Sequence, residues 1–324
     1  MSADTVIADP PAAPEADAPA VPRPPTISVW TQAKFVLVRG FLYGWSKCFS
    51  LTGLYLFGKV FGTCEWAINY KRRRRFREHM ERVFGDHLDR LDPALRRAAC
   101  RHHFARTRCD KLFYLIFDKL PKEKILRRIK FHHRERFDEA LARGKGVYVC
   151  MSHDGSHHVL ILLMALMGYR VAGVRDRNEG ALRRYVQHKY EESFPEFKDI
   201  RMFFADTYPR QIYRGFRDGF IVGSALDVGR DRGAHLRTAP VTLFDREREF
   251  LTGTMQIALR CGAPILQGFV VSRKNFYFHL IPRGPLVDPA TQRDEPAILA
   301  EAMQRYADNI ADHLSQYPDH ISKS

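Results

Sequence analysis

Short apolar runs alternate with longer helical runs from about residue 137 onward, and this alternation limits the fold more than any other feature of the chain. Apolar runs rich in β-branched and aromatic residues are typical of buried strands, and the runs between them suit helices. A chain that alternates in this way is predicted to be an α/β protein, with a mostly parallel sheet flanked by helices. The expected strands are 146–152, 169–175, 201–205, 220–227, 264–272 and 276–282. The expected helices are 159–167, 180–193, 208–217, 252–260 and a closing helix at 295–317.

Three regions of different composition are expected along the 324 residues. Residues 1–26 are rich in Ala and Pro, lack the features of a secretory signal and are predicted to form a disordered tail. Residues 27–70 form a helical segment, and residues 71–324 form the α/β domain, which begins with a basic helix at 71–82. The last two strands of that domain flank Arg273, Lys274 and Asn275 and are predicted to form a hairpin.

The segment 27–70 is dense in aromatic residues and contains all three tryptophans, Trp30, Trp45 and Trp66. Its longest charge-free run, 48–58, is too short for a helix that spans a bilayer. The pattern predicts a membrane-associated, amphipathic or monotopic segment. A pair of core helices and a single membrane span remain open as alternatives.

A strong positive charge points to an anionic partner. The net charge is +15, and residues 71–77 read Lys-Arg-Arg-Arg-Arg-Phe-Arg. Beside an aromatic segment, this run favours attraction to an anionic membrane surface, and by the positive-inside rule it predicts that the following domain lies in the cytoplasm. Nucleic acid is not predicted as a partner, because no recognised binding module is visible. The six scattered cysteines are expected to be reduced thiols.

A cluster of titratable residues occupies the junction between the strand at 146–152 and the helix at 159–167. Carboxyl ends of strands in open α/β sheets are common ligand sites, and imidazole is suited to proton transfer near neutral pH. Backbone N–H groups at the helix start near Gly155 are candidate donors to an oxyanion. The sequence therefore predicts an active site here. The cluster consists of His153, Asp154, Gly155, Ser156, His157 and His158.

The order of four motifs resembles the lysophospholipid acyltransferase superfamily over about residues 27–317. The nearest branch contains the lipid A late acyltransferases and the mycobacterial phosphatidylinositol mannoside acyltransferases. The family's His-x4-Asp/Glu motif is matched at 153–158, with His158 in the place of the acid. Its Arg-Pro-x-x-Asn segment is matched at 175–178 without the Pro. Its Asp-x-Asp-x-Gly loop is partly matched at 227–233, and its Thr-Gly-Thr helix start is matched at 252–254.

The resemblance implies that a histidine takes the proton of an acceptor hydroxyl, which attacks an acyl thioester carried by acyl carrier protein or coenzyme A. His153 is the expected base. Its orienting carboxylate is expected to be Asp227, or failing that Asp154, and a neutral His158 is a further hydrogen-bond candidate. His157 is expected to have no part in the role of His153. The acceptor is expected to be a lipid or glycolipid, and no cofactor is expected. The candidate substrate-binding residues are Gly155, Arg175, Arg177, Asn178, Arg230 and Thr254.

Two other functions remain open at this point. His153, Asp154, His157 and His158 are all feasible metal ligands, which would suit a metal-dependent hydrolase. Alternatively, the absent acid at position 158 could mark a degenerate acyltransferase that binds a lipid or carrier protein without turnover.

Overall fold

The computed structural model describes residues 28–175, 181–204, 209–227 and 236–321. Each expected strand and helix from 146 onward is present to within two residues where the structure describes it. The helices in these ranges are α1 Val29–Cys48, α2 Ser50–Ile68, α3 Tyr70–Phe84, α4 Pro93–Ile116, α5 Lys122–Leu126, α6 Arg134–Ala142, α7 Leu160–Leu166, α8 Ala181–Ser193, α9 Arg210–Arg217, α10 Gly253–Cys261 and α11 Pro296–Gln316. The strands are β1 Ile129–Phe131, β2 Val147–Met151, β3 Val171–Arg175, β4 Arg201–Phe204, β5 Ile221–Ala225, β6 Thr238–Leu243, β7 Arg246–Leu251, β8 Ile265–Arg273 and β9 Tyr277–Arg283.

Seven strands form one sheet in the order β1-β9-β8-β2-β5-β3-β4. Every neighbouring pair in it is parallel except β8 and β9, which are antiparallel and form the expected hairpin. The predicted α/β class and mostly parallel sheet are therefore confirmed. β2 lies at the centre, between β8 and β5, so its carboxyl end adjoins the ends of two other strands.

Both faces of the sheet are covered, because β2 divides its side chains between two hydrophobic clusters. Tyr148 and Cys150 belong to one cluster, and Val147, Val149 and Met151 belong to the other. Alternate residues of a strand point to opposite faces, so a strand that is apolar at every position must be buried on both sides. All five side chains are at most 8% exposed.

The antiparallel pair β6–β7 was missed by the sequence interpretation. Its strand β7 reads Arg-Glu-Arg-Glu-Phe-Leu, and charged residues of this kind give no apolar signal. Phe244 and Asp245 connect the strands with φ of 53° and 58°, the left-handed backbone that two-residue hairpin turns require. The short elements β1, α5 and α6 were also not predicted.

Helices α1 and α2 each pack one face on the body of the protein and leave large apolar side chains exposed on the other. Arg39 of α1 forms a buried ion pair with Asp118 and donates a 3.0 Å hydrogen bond from Nε to the Leu115 carbonyl oxygen. Within the described ranges, no helix is both long and apolar enough to cross a membrane. The exposed apolar residues are Val29, Trp30, Val36, Leu37, Val38, Phe41, Phe49, Leu56, Val60, Phe61 and Ile68.

The basic run at 71–77 does not present all of its charges to solvent. Arg72 pairs with Glu65 of α2 and lies over the Phe104 ring, 4.6 Å from its centroid. Arg73 lies 5.4 Å from the centroid of the Trp66 ring. These two guanidinium groups therefore help to dock α3 on its neighbours. The exposed cations of the run are Lys71, Arg74, Arg75 and Arg77.

The contact between α2 and α4 depends on Gly62. A Cβ atom at this position would lie 2.6 Å from the Cα of Ala105 and 2.7 Å from the Phe104 carbonyl oxygen, and backbone atoms cannot move away cheaply. We expect Gly62→Ala to lower the free energy of unfolding by ~2 kcal/mol, measured by denaturant titration. Gly40→Ala in α1 is the matched control, because nothing lies within 4 Å of its added Cβ. It should be neutral or stabilising by up to ~1 kcal/mol, and equal effects of the two changes would contradict the expectation.

Candidate active site

The ends of two adjacent parallel strands bring His153 and Asp227 together. β2 ends at Met151 and β5 ends at Ala225, so each residue follows its strand by the same short step. The N–H of Leu226 donates to the Met151 carbonyl oxygen at 3.3 Å, which extends the pairing of the strands into this region. Register between neighbouring strands therefore fixes the relative position of the two side chains.

Asp227 binds His153 through both carboxylate oxygens. Oδ1 lies 2.8 Å from Nδ1 of the imidazole, and Oδ2 accepts the backbone N–H of His153, also at 2.8 Å. The carboxylate side chain is 13% exposed, whereas the imidazole is 37% exposed. A carboxylate at Nδ1 holds the proton on that nitrogen and leaves Nε2 as the basic one. The pair thus has the arrangement of a general base and its orienting acid, with the imidazole open to a ligand.

The other residues of the cluster lie around this pair. Asp154 is buried, with 7% exposure. The ring of His158 lies edge-on to Tyr114, with 5.8 Å between ring centroids. The ring of His157 lies edge-on to the ring of His153, with 5.1 Å between ring centroids. Among the described residues, no group of three or more His, Cys, Asp or Glu side chains has a geometry that could hold a metal ion.

The N–H groups of Gly155 and Ser156 are engaged within the protein and are not available as oxyanion donors, which narrows the sequence interpretation. The Gly155 N–H donates to the His320 carbonyl oxygen at 2.8 Å, and the Ser156 N–H donates to the Val270 carbonyl oxygen at 3.3 Å. Gly155 has a φ of 61°, and a Cβ there would lie 2.6 Å from His320 Nδ1. Close approach of the backbone to the C-terminal segment therefore explains this glycine better than contact with a substrate does.

A buried polar network supports the segment that follows His153. The Ser156 hydroxyl donates to Asp110 Oδ2 at 2.6 Å. Arg106 bridges Asp110 and Asp319, at 3.3 Å and 3.2 Å. The network joins the segment to α4 and to the C-terminal region, so that three distant parts of the sequence fix its position.

His313 and His320 form a neutral pair beneath Gly155. Their rings share a 3.0 Å hydrogen bond between Nε2 and Nδ1, which requires one nitrogen without a proton. Burial, with Arg283 and Arg106 contributing, lowers the pKa of His313 to about 3. Burial lowers the pKa of His320 well below its usual value, and the positive charge of Arg106 is the next largest cause.

This pair should make the protein acid-sensitive. Below pH ~6.5 these two histidines become protonated in the unfolded chain but stay neutral in the folded protein. Their contribution to the free energy of unfolding is therefore fully present above that pH and is lost as pH decreases. We expect a loss of ~1.4 kcal/mol per pH unit per histidine between pH ~6 and ~4, measured by denaturant titration. His313→Gln should reduce the slope, and the exposed His188→Gln should not. Equal slopes in all three proteins would show that other groups cause the loss.

Among the remaining candidate substrate-binding residues, the structure describes the side chain of Thr254 only. Arg177, Asn178 and Arg230 lie outside the described residues, as does the side chain of Arg175, the last residue of β3. Thr254 is in the first turn of α10 and is 9% exposed. The start of this helix is held by Thr252, whose N–H and hydroxyl both donate to the Arg237 carbonyl oxygen, at 2.9 Å and 3.2 Å.

Three residues that support the site were missed by sequence reasoning. Asp110 and His320 act in the network described above, and the Tyr306 hydroxyl donates to the Met151 carbonyl oxygen at 2.6 Å. Each lies far from residues 153–158 in the sequence, and no local motif marks them. The polar residues of α4 that interrupt its apolar face were the one available signal, because buried polar groups need partners.

Comparison with known proteins gives one match over most of the chain. The family model described as bacterial lipid A biosynthesis acyltransferase matches residues 28–318. No curated protein matches the chain significantly.

Proposed function

The chain belongs to the bacterial lipid A biosynthesis acyltransferase family, and we propose that it transfers a fatty acyl chain from an acyl thioester to a hydroxyl of a lipid or glycolipid acceptor. The hydrogen bond between His153 Nδ1 and Asp227 Oδ1 supports this proposal most directly. It gives the family's histidine a carboxylate partner although the motif acid is replaced by His158.

In the proposed reaction, His153 Nε2 removes the proton from the acceptor hydroxyl as its oxygen attacks the thioester carbonyl carbon. Asp227 stabilises the imidazolium that forms and keeps its ring in place. The tetrahedral intermediate then collapses, the carbon–sulfur bond breaks, and the imidazolium returns its proton to the departing thiolate. The products are the acylated acceptor and a free thiol, and the enzyme ends in its starting protonation state.

Charge favours acyl carrier protein over coenzyme A as the proposed donor. A net charge of +15 would steer an acidic carrier protein to this protein through many complementary contacts, whereas coenzyme A offers only the charges of its phosphates. The ends of β2 and β5 face the same edge of the sheet, where such a carrier would deliver its acyl group.

We place the protein at the cytoplasmic face of the inner membrane. The exposed apolar side chains of α1 and α2 would enter the lipid interface. The exposed cations Lys71, Arg74, Arg75 and Arg77 follow directly in the chain and would attract anionic headgroups.

The deciding experiment is an acyl-transfer assay on membranes that carry the wild-type protein or His153→Ala. Labelled acyl-acyl carrier protein and a total lipid extract serve as substrates, and products are read by mass spectrometry. We expect a new acylated lipid from the wild-type protein and a loss of at least ~10²-fold in His153→Ala. Full activity of the variant would remove His153 from the mechanism. If neither protein made a product beside an active control acyltransferase, a binding function without turnover would replace the proposal.

A further inference from the structure

A cavity of about 370 Å³ lies beside the candidate active site, and the mechanism does not use it. It opens to solvent and is bordered by α2, α4, the end of β8 and the segment that follows α11. Its volume is within the usual range for small-molecule sites. Its lining includes Tyr55, Lys59, Arg106, Asp110, Arg273 and Asp319.

The cavity and the His153–Asp227 pair lie at the ends of different strands. His153 and Asp227 follow β2 and β5, whereas the cavity is lined by Val271, Ser272 and Arg273 at the end of β8. Gly155 and Ser156 separate the two sites, since they bind His320 and Asp110 of the cavity wall. A molecule in this cavity would therefore contact the support of the active site without touching the catalytic pair.

The cavity carries excess positive charge. Its two acids, Asp110 and Asp319, are both satisfied by Arg106. Arg273 donates to the Tyr317 hydroxyl at 3.0 Å and lies over that ring. Among the described residues, neither Lys59 nor Arg273 forms an ion pair with a carboxylate. Two exposed cations at one opening favour an anionic ligand.

Exposed apolar residues of α2 adjoin the residues of that helix that line the cavity. Tyr55 and Lys59 are one helical turn apart and both line the cavity. Leu56 and Val60, the next residues along the helix, are 49% and 62% exposed. A ligand with an anionic head and an apolar tail fits this surface better than a free anion or an acidic peptide does. Its head would contact the cations of the cavity, and its tail would contact the apolar side chains of α2.

We propose that the cavity between α2, α4 and the end of β8 binds the headgroup of an anionic phospholipid, at a site separate from the His153–Asp227 pair. The phosphate lies between Lys59 and Arg273, and the acyl chains run along Leu56 and Val60. The site goes beyond the proposed acyl transfer, since it holds a lipid that need not react.

Binding of monomeric short-chain lipids to the purified full chain tests the proposal. Isothermal titration calorimetry would use dihexanoylphosphatidylglycerol below its micelle concentration, dihexanoylphosphatidylcholine and inorganic phosphate. We expect the anionic lipid to bind at least ~tenfold more tightly than either comparison ligand, and Lys59→Gln/Arg273→Gln to weaken it at least ~tenfold. The matched control is Lys34→Gln/Lys274→Gln, which removes the same charge from α1 and from the neighbour of Arg273, and it should change binding less than ~twofold.

Three results would overturn the proposal. Equal weakening by the two double variants would show a general charge effect. Equal affinity for phosphate and the anionic lipid would show a free-anion site. Loss of binding in His153→Ala would place the lipid at the catalytic pair. Because no acyl donor is present, the outcome is independent of whether acyl transfer occurs, and unchanged melting curves of both double variants would show that the fold is intact.

Discussion

Asp227→Asn is expected to lower the rate of acyl transfer by ~10²–10⁴-fold while the fold is retained. The amide can still accept the backbone N–H of His153 through its oxygen, so the segment should keep its position. It cannot stabilise an imidazolium, and its NH₂ group would favour the tautomer with the proton on Nε2, where the base is needed. The measurement is kcat with acyl-acyl carrier protein, together with a melting curve.

Asp154→Asn is the comparison for this experiment, because Asp154 adjoins His153 in sequence and is buried as well. We expect a smaller loss of activity than in Asp227→Asn. If Asp154→Asn were inactive and Asp227→Asn kept full activity, Asp154 would be the orienting acid. A similar small effect of both changes would count against any carboxylate partner for His153.

Breaking the buried ion pair between α1 and the domain should have the largest effect on stability. The side chains of Arg39 and Asp118 are 6% and 1% exposed. Arg39→Met would leave the Asp118 carboxylate buried, and among the described residues Lys119, at 3.9 Å, is the one other cation paired with it. We expect a loss of ~3–5 kcal/mol in the free energy of unfolding, measured by denaturant titration.

Two further variants identify the cause of that loss. Arg39→Met/Asp118→Leu should recover most of the stability, because no buried charge is left without a partner. Arg74→Met breaks an exposed pair with Glu78 and should change stability by less than ~1 kcal/mol. An equal loss in Arg39→Met and in the double variant would show that packing of the arginine, and not the charge, is responsible.

The sequence predicted the α/β framework because burial on both faces leaves a clear signal. β2 is apolar at every position, and glycines, which favour a positive φ at helix ends, follow the helices at Gly168 and Gly262 with φ of 89° and 60°. The family match confirms the resemblance read from the order of motifs. The strand pair β6–β7 was missed because exposed charged strands lack a hydrophobic period.

The candidate site was only partly predictable, for reasons of distance along the chain. Asp227 was named as a partner because it ends a strand, and the structure places it against His153. Nothing near Gly155 indicated that the His320 carbonyl oxygen would take its N–H. Such long-range contacts depend on the packing of whole elements, which local patterns do not encode.

The strand order has a consequence for synthesis of the protein. β1 pairs only with β9 among the described strands, and β2 needs both β5 and β8 as neighbours. Strands that the ribosome makes early can therefore pair only after much later strands have been made. Until then, their edges are unpaired and their apolar faces are exposed. Folding of the nascent chain should accordingly be slow and prone to aggregation, and chaperones that cover apolar segments should raise the yield of active protein.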